Sequence, residues 1–177
     1  MGHDATGLDA LQELTREHEA VLLQVDALQQ VLDDMQDGLQ RADAAPLETA
    51  ENVVRALRMD LDIHLRKEEA VLFPPLEAHL GREQGPIGVM LMEHEDLRRI
   101  MQRLSAAVSL LRSDAEPVSR KEAHEEMLRW GRGLVGLLRQ HIAKEDQCLF
   151  PMAASRLEGG QLRALGEEMR VLGREAG

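Results

Sequence analysis

Apolar residues recur at steps of three and four positions through most of the chain, which is the period of an amphipathic helix. Four long stretches and one short stretch carry this period, and they span residues 8–35, 53–72, 87–111, 127–149 and 162–172. Each stretch has charged and polar residues on its opposite face. The pattern therefore predicts four long amphipathic helices followed by a short one.

Helix boundaries are indicated by capping residues, glycine and proline. Thr6 can cap the start of the first helix, and Gly38 can end it. The second helix is expected to kink or stop at Pro74 and Pro75, and the fourth at Pro151, because proline lacks an N–H group and its ring obstructs the preceding turn.

Composition supports an all-α protein. The chain has two phenylalanines, one tryptophan and no tyrosine, whereas strands favour aromatic and β-branched residues. Four long helices with short connections predict an up-down-up-down four-helix bundle with a short C-terminal helix. We expect residues 1–177 to form a single domain, with the bundle at about 8–155 and the C-terminal segment at about 159–173.

The charge balance narrows the possible partners. The chain has 21 basic and 32 acidic residues, a formal net charge of −11, which argues against nucleic acid and anionic membrane surfaces as partners. No apolar run approaches the roughly 18 residues that a membrane span needs, and the N-terminus lacks the order of a secretory signal. With Cys148 as its single cysteine, the chain is expected to be cytoplasmic.

The chain repeats one motif, H-x-x-x-E-x-x-x-L-F-P, beginning at His64 and again at His141, 77 positions later. A second pair of histidines, His18 and His94, each within the tripeptide EHE, is separated by 76 positions. We interpret this as two copies of a helical hairpin. Each hairpin contributes one histidine from its first helix, and a histidine and a glutamate one turn apart from its second.

These histidines and glutamates fall on the apolar faces of their helices, which predicts that four imidazoles and two carboxylates are buried. Burying a carboxylate that has no cation or hydrogen-bond donor beside it costs on the order of several kcal/mol. Imidazole nitrogen and carboxylate oxygen together suit iron, manganese and zinc. We therefore predict a metal site formed by His18, His64, Glu68, His94, His141 and Glu145.

The repeated motif, the histidines of the EHE tripeptides and the L-F-P sequences together resemble the hemerythrin-like HHE cation-binding family over roughly residues 8–155. The resemblance implies a non-haem di-iron centre (Fe-O-Fe), with manganese or zinc as substitutes. One iron would be held by His18 and His64 and the other by His94 and His141. Glu68 and Glu145 would bridge the two.

The sequence differs from the oxygen-carrying members of that family at two positions. Arg98 stands where those proteins have a further histidine. Those proteins also have a histidine, four intervening residues and an aspartate, where this chain has His141, three intervening residues and Glu145. Two histidines per iron would leave about one open position on each metal. The arrangement is more similar to the di-iron proteins of iron–sulfur cluster repair and nitric-oxide defence than to a reversible oxygen store.

Three functions are compatible with the sequence. The first is a di-iron protein that binds, senses or reduces oxygen, nitric oxide or peroxide in stress or iron homeostasis, with an unidentified redox partner. The second is an iron store or donor, and the third is a metal-free helical interaction module whose histidines respond to pH. Enzyme status and the choice between monomer and homodimer are left open.

Three further residues lie near the predicted ligands in the sequence. Glu17 and Glu93, which precede His18 and His94, are expected to be solvated, with support of the ligands or proton transfer as the alternative. Cys148 is expected to be a small buried thiol, with a redox role as the alternative.

Overall fold

The computed structural model describes residues 9–38, 45–82, 85–113 and 116–176, and these form helices joined by short turns, with no strand among them. The all-α class predicted from the sequence is confirmed. Within these ranges, seven α-helices and two π-helical segments follow in the order α1 (Ala10–Gly38), α2 (Ala45–Lys67), π1 (Glu68–Leu72), α3 (Phe73–Leu80), α4 (Pro86–Arg112), α5 (Pro117–Lys144), π2 (Glu145–Leu149), α6 (Phe150–Arg156) and α7 (Gly159–Ala176).

Helix α1 begins at a reciprocal pair of hydrogen bonds. The Gln12 N–H donates to Asp9 Oδ1 over 2.9 Å, and the Asp9 N–H donates to Gln12 Oε1 over 3.1 Å. This is the capping-box arrangement, which satisfies two backbone donors at a helix start. Thr6, the cap expected from the sequence, lies outside the described residues. Gly38 is the last residue of α1, as predicted.

The sequence left open whether the prolines kink or stop the second and fourth helices, and the structure shows that they do not stop them. Helical structure continues from α2 through π1 into α3, and from α5 through π2 into α6. At each junction the backbone N–H group donates to the carbonyl five residues earlier, from Phe73 to Glu68 and from Phe150 to Glu145. A π-helical turn is wider than an α-helical turn. It thus accommodates the proline ring that follows, which in a regular α-helix would clash with the carbonyl four residues before it.

The described residues divide into two compact units. Among the described residues, the first draws on 9–20, 61–82, 85–91 and 142–176. Its hydrophobic core combines the start of α1 with π1, α3, π2 and α6, and it includes the fully buried Phe73 and the nearly buried Phe150 of the two L-F-P sequences. Leu162 and Met169 of α7 are also buried in this core, so the short C-terminal helix packs within the first unit.

The second unit draws, within the described part of the chain, on residues 21–38, 45–60, 92–113 and 116–141. Polar contacts connect its four helices in a ring. Helices α1 and α2 are joined by a hydrogen bond from Gln24 to Asp60, and α2 and α4 by Glu51 and Arg112, which lie 3.1 Å apart. Helices α4 and α5 are joined by Glu93 and His141, 2.9 Å apart, and α5 and α1 by Arg139 and Asp26, 2.7 Å apart. This closed ring of four helical segments is the arrangement expected of a four-helix bundle. None of the described helices is long and apolar enough to cross a membrane.

Glycines in α5 differ in their surroundings. A methyl group added at Gly131 would lie 2.7 Å from both terminal carbons of Leu32, a fully buried residue of α1. Gly131 therefore permits the close approach of α5 to α1. At Gly133 and Gly136 an added methyl group would meet nothing within 4 Å.

We expect Gly136→Ala to stabilise the protein by about 0.5–1 kcal/mol, because alanine loses less backbone entropy than glycine in a helix and the site has room. Gly131→Ala is the matched variant. It should gain nothing or lose stability, because Leu32 would have to move within a packed core. Chemical denaturation of both variants measures the difference, and equal stabilisation would contradict the assignment of Gly131 to helix packing.

Candidate metal centre

The imidazole rings of His18 and His64 converge on one point in the first unit. Their Nε2 atoms are 3.1 Å apart, and the side chains are 1% and 3% exposed. His18 Nε2 also lies 3.2 Å from Glu145 Oε2, and His64 Nε2 lies 3.5 Å from Glu68 Oε1. Each of these four residues offers one possible ligand atom, and the four atoms all lie within 4.8 Å of one another. The structure thus brings four of the six predicted ligands together.

The outer nitrogens of both rings face carboxylates. His18 Nδ1 lies 2.8 Å from Asp146 Oδ1, and His64 Nδ1 lies 2.9 Å from Glu17 Oε2. A carboxylate only accepts hydrogen bonds, so each Nδ1 carries the hydrogen and donates it. That tautomer directs the lone pair of a neutral imidazole from Nε2 toward the shared point. Histidines that bind metal in proteins almost always donate from the far nitrogen in this way, to a carboxylate, a backbone carbonyl or water.

The donor spacing fits a first-row metal ion. Ligands bound at about 2.0–2.2 Å from one ion and at right angles to each other lie about 3 Å apart. The Nε2-to-Nε2 distance of 3.1 Å and the Nε2-to-carboxylate distances of 3.2 and 3.5 Å are close to this value. Two fully buried carboxylates, Glu68 and Glu145, within 4.8 Å of each other would repel strongly without a cation.

The protonation behaviour of His18 shows how strongly this point favours positive charge. Burial lowers the pKa of His18, but hydrogen bonds to the carboxylates of Asp146 and Glu145 outweigh burial and raise it to about 10. In the metal-free protein a proton therefore supplies the charge. A bound metal ion has to displace that proton.

The second unit contains a histidine pair with the same kind of support. The rings of His94 and His141 lie with their centroids 4.9 Å apart, and the residues are 0% and 1% exposed. His141 Nδ1 lies 2.9 Å from Glu93 Oε2. His64 and Glu17 make the same contact. In each copy of the hairpin, the glutamate that precedes the first histidine therefore accepts a hydrogen bond from the second histidine.

The expectation that Glu17 and Glu93 are solvated was wrong. Their side chains are 22% and 15% exposed, and each accepts a hydrogen bond from a predicted ligand. Burial raises the pKa of Glu17, but hydrogen bonds from His64 and Lys67 outweigh burial and lower it. Glu17 therefore stays ionised.

Two supporting residues were missed by sequence reasoning. Asp146 holds His18, and Lys67 bonds to Glu17. A signal for Asp146 was present, because an acidic residue follows the predicted glutamate ligand in both copies, as Glu69 and as Asp146. Lys67 and Lys144 likewise precede Glu68 and Glu145. Their position in the sequence does not indicate a partner on another helix.

Cys148 is exposed, which contradicts the expectation of a buried thiol. In a regular α-helix, a residue three positions after Glu145 would lie close to the face that carries Glu145. Cys148 lies within π2, where each turn takes more residues, so its side chain is rotated away from that face.

Phe150 packs directly against a predicted ligand. Its ring is stacked on that of His18, with centroids 5.3 Å apart and planes 5° from parallel. The L-F-P sequence that follows Glu145 therefore covers one face of an imidazole as well as filling the core.

Residues 9–153 match a protein-family model described as the Hemerythrin HHE cation binding domain. This match and the cluster of His18, His64, Glu68 and Glu145 together indicate metal binding, with iron as the metal.

Individual relatives match over part of the chain. Proteins called iron-sulfur cluster repair protein YtfE are 30% identical over 99 residues in Salmonella schwarzengrund, 35% over 96 residues in Musicola paradisiaca and 34% over 100 residues in Edwardsiella ictaluri. The matched segments cover 55%, 53% and 55% of this chain and 44%, 41% and 43% of those relatives. The chain therefore spans less than half the length of the curated relatives it matches.

Proton release on metal binding tests the role of Asp146. At pH 8 the wild-type protein should release about one proton from His18, because the pH lies below a pKa of about 10. Asp146→Asn removes a carboxylate that raises this pKa, so fewer protons should be released. Calorimetry in buffers of different ionisation enthalpy measures the number. Asp62→Asn, at an exposed position of α2, is the control, and equal release from all three proteins would refute the assignment.

Proposed function

The chain belongs to the Hemerythrin HHE cation-binding domain family, and on that basis we propose that it holds two iron ions at which oxygen, nitric oxide or peroxide binds. His18 and His64 would hold one iron, and His94 and His141 the other. Glu68 and Glu145 would contribute carboxylates to both. When bound, the iron supplies a redox-active Lewis acid with positions open to a small ligand.

The convergence of potential metal-ligand atoms in the first unit carries this proposal. Two imidazole nitrogens and two carboxylate oxygens gather within 4.8 Å in a buried position. The equally buried pair of His94 and His141, with its supporting Glu93, favours a second ion. Two divalent ions would offset the charges of both carboxylates and use all four imidazoles.

Burial restricts the size of the ligand. The residues of the cluster are between 0% and 3% exposed, and the ring of Phe150 covers one face of His18. A molecule with two or three heavy atoms would displace these helices least, whereas an organic substrate would require them to separate. These features support the binding of small diatomic molecules or peroxide. They do not distinguish among binding, sensing and reduction of that ligand.

The names of the relatives favour a second candidate function. Those proteins are named for the repair of iron–sulfur clusters, and a protein that donates iron could take part in such repair. We propose as the alternative that this chain gives up iron from the same residues. The alternative predicts labile metal in a stable helical fold.

Removing one histidine from each proposed iron should abolish most metal binding. The variant His64→Ala with His141→Ala should lose most of about two irons per chain and the near-ultraviolet absorption of ferric iron, because half of the nitrogen donors are gone. Elemental analysis of protein purified from iron-replete cells gives the metal content and identity, including manganese or zinc. The control is His79→Ala, at an exposed position of α3, and unchanged iron in the double variant would overturn the ligand set.

Chelation distinguishes the two candidates. With a strong iron chelator, a ligand-binding centre buried to this degree should lose iron over hours, because release needs helix opening. A donor should lose iron within minutes while its far-ultraviolet circular dichroism stays constant. Slow loss would refute the donor function, and rapid loss would refute a permanently held centre.

A further inference from the structure

Lys67 is the one lysine among the described residues that is buried, with 4% of its surface exposed. It directly precedes the proposed ligand Glu68 in the sequence, and its side chain extends to the carboxylates of Glu13 and Glu17 in α1. A buried ammonium group costs several kcal/mol unless it is paired, as an order of magnitude. Its position is therefore set by the groups that it bonds.

Those groups form a charged chain that ends at His64. Lys67 Nζ donates to Glu17 Oε1 and lies 3.5 Å from Glu13 Oε1. Glu17 uses its other oxygen, Oε2, to accept from His64 Nδ1. Glu13 Oε2 lies 4.0 Å from Arg170 of α7. One carboxylate thus joins an imidazole of the proposed site to a buried ammonium.

Helix α7 limits the access of water to this ammonium. The backbone of Gly173 lies against the end of the lysine side chain, so that a methyl group added at Gly173 would lie 3.4 Å from Cε and 3.5 Å from Nζ of Lys67. Exclusion of water strengthens the attraction between Lys67 and Glu17, because fewer solvent dipoles screen it.

We propose that Lys67 is a positioning residue for the metal centre, which acts by holding ionised Glu17 against His64 Nδ1. This inference rests on the proposed metal binding and extends it to a residue that does not contact the metal. Without the ammonium, Glu17 is free to turn toward water. His64 then loses the partner that fixes its tautomer and increases the basicity of Nε2.

A double-mutant cycle on metal affinity tests the proposal. Lys67→Met keeps most of the apolar stem and removes the charge, and Glu17→Gln keeps the shape of Glu17 and removes its charge. Each variant should bind iron about 10–100-fold more weakly than the wild type, the usual effect of losing a partner of a metal-binding histidine. Because Lys67 acts through Glu17, the double variant should bind little more weakly than Glu17→Gln alone.

Competition with a chelator of known affinity gives the four constants, and Lys121→Met, at a 78% exposed lysine, is the control. If Lys67→Met does not fold, Lys67→Gln removes the charge while keeping a polar group, and the same result is expected. Wild-type affinity in the lysine variant, or effects that add in the double variant, would overturn the proposal. Failure of the wild-type protein to bind iron would instead refute the proposed function.

Discussion

The structure depends on a concentration of electron-pair donors in a place that water barely reaches. Glu68 and Glu145 are fully buried within 4.8 Å of each other, next to the Nε2 atoms of His18 and His64. Such a group is stable only with positive charge at its centre. The raised pKa of His18 is one response to this requirement, and metal binding is the other.

Helical geometry supplies the site with few residues. The i, i+4 spacing places His64 and Glu68 on one face of a continuous helix, and antiparallel packing brings α1 alongside with His18 and Glu17. Two neighbouring residues of α1 thus serve one site in different ways, since His18 points at the cluster and Glu17 supports the histidine across from it. The hydrophobic core of the first unit, including Phe150, then keeps these side chains in place.

Periodicity and the repeated motif were sufficient to predict the helical class and to identify the residues that form the cluster, because both follow from which positions share a helix face. The supporting residues were harder to predict. Asp146 and Lys67 act on side chains of another helix, and their partners depend on the rotation of one helix against its neighbour. The π-helical turns before the prolines and the exposure of Cys148 were missed for a different reason, since apolar periodicity does not indicate a local widening of the helix.

That widening occurs at the same register in both halves of the chain. Segments π1 and π2 each begin at the repeated glutamate and end at the leucine before phenylalanine and proline. A π-helical turn corresponds to one extra residue in an α-helix, and two independent insertions at matched positions would be a coincidence. The simplest history places the extra residue in a single ancestral hairpin, before that hairpin was copied and fused to itself. An ancestor of that kind would have carried half of the proposed ligands, and two of its chains would have had to associate to supply all six.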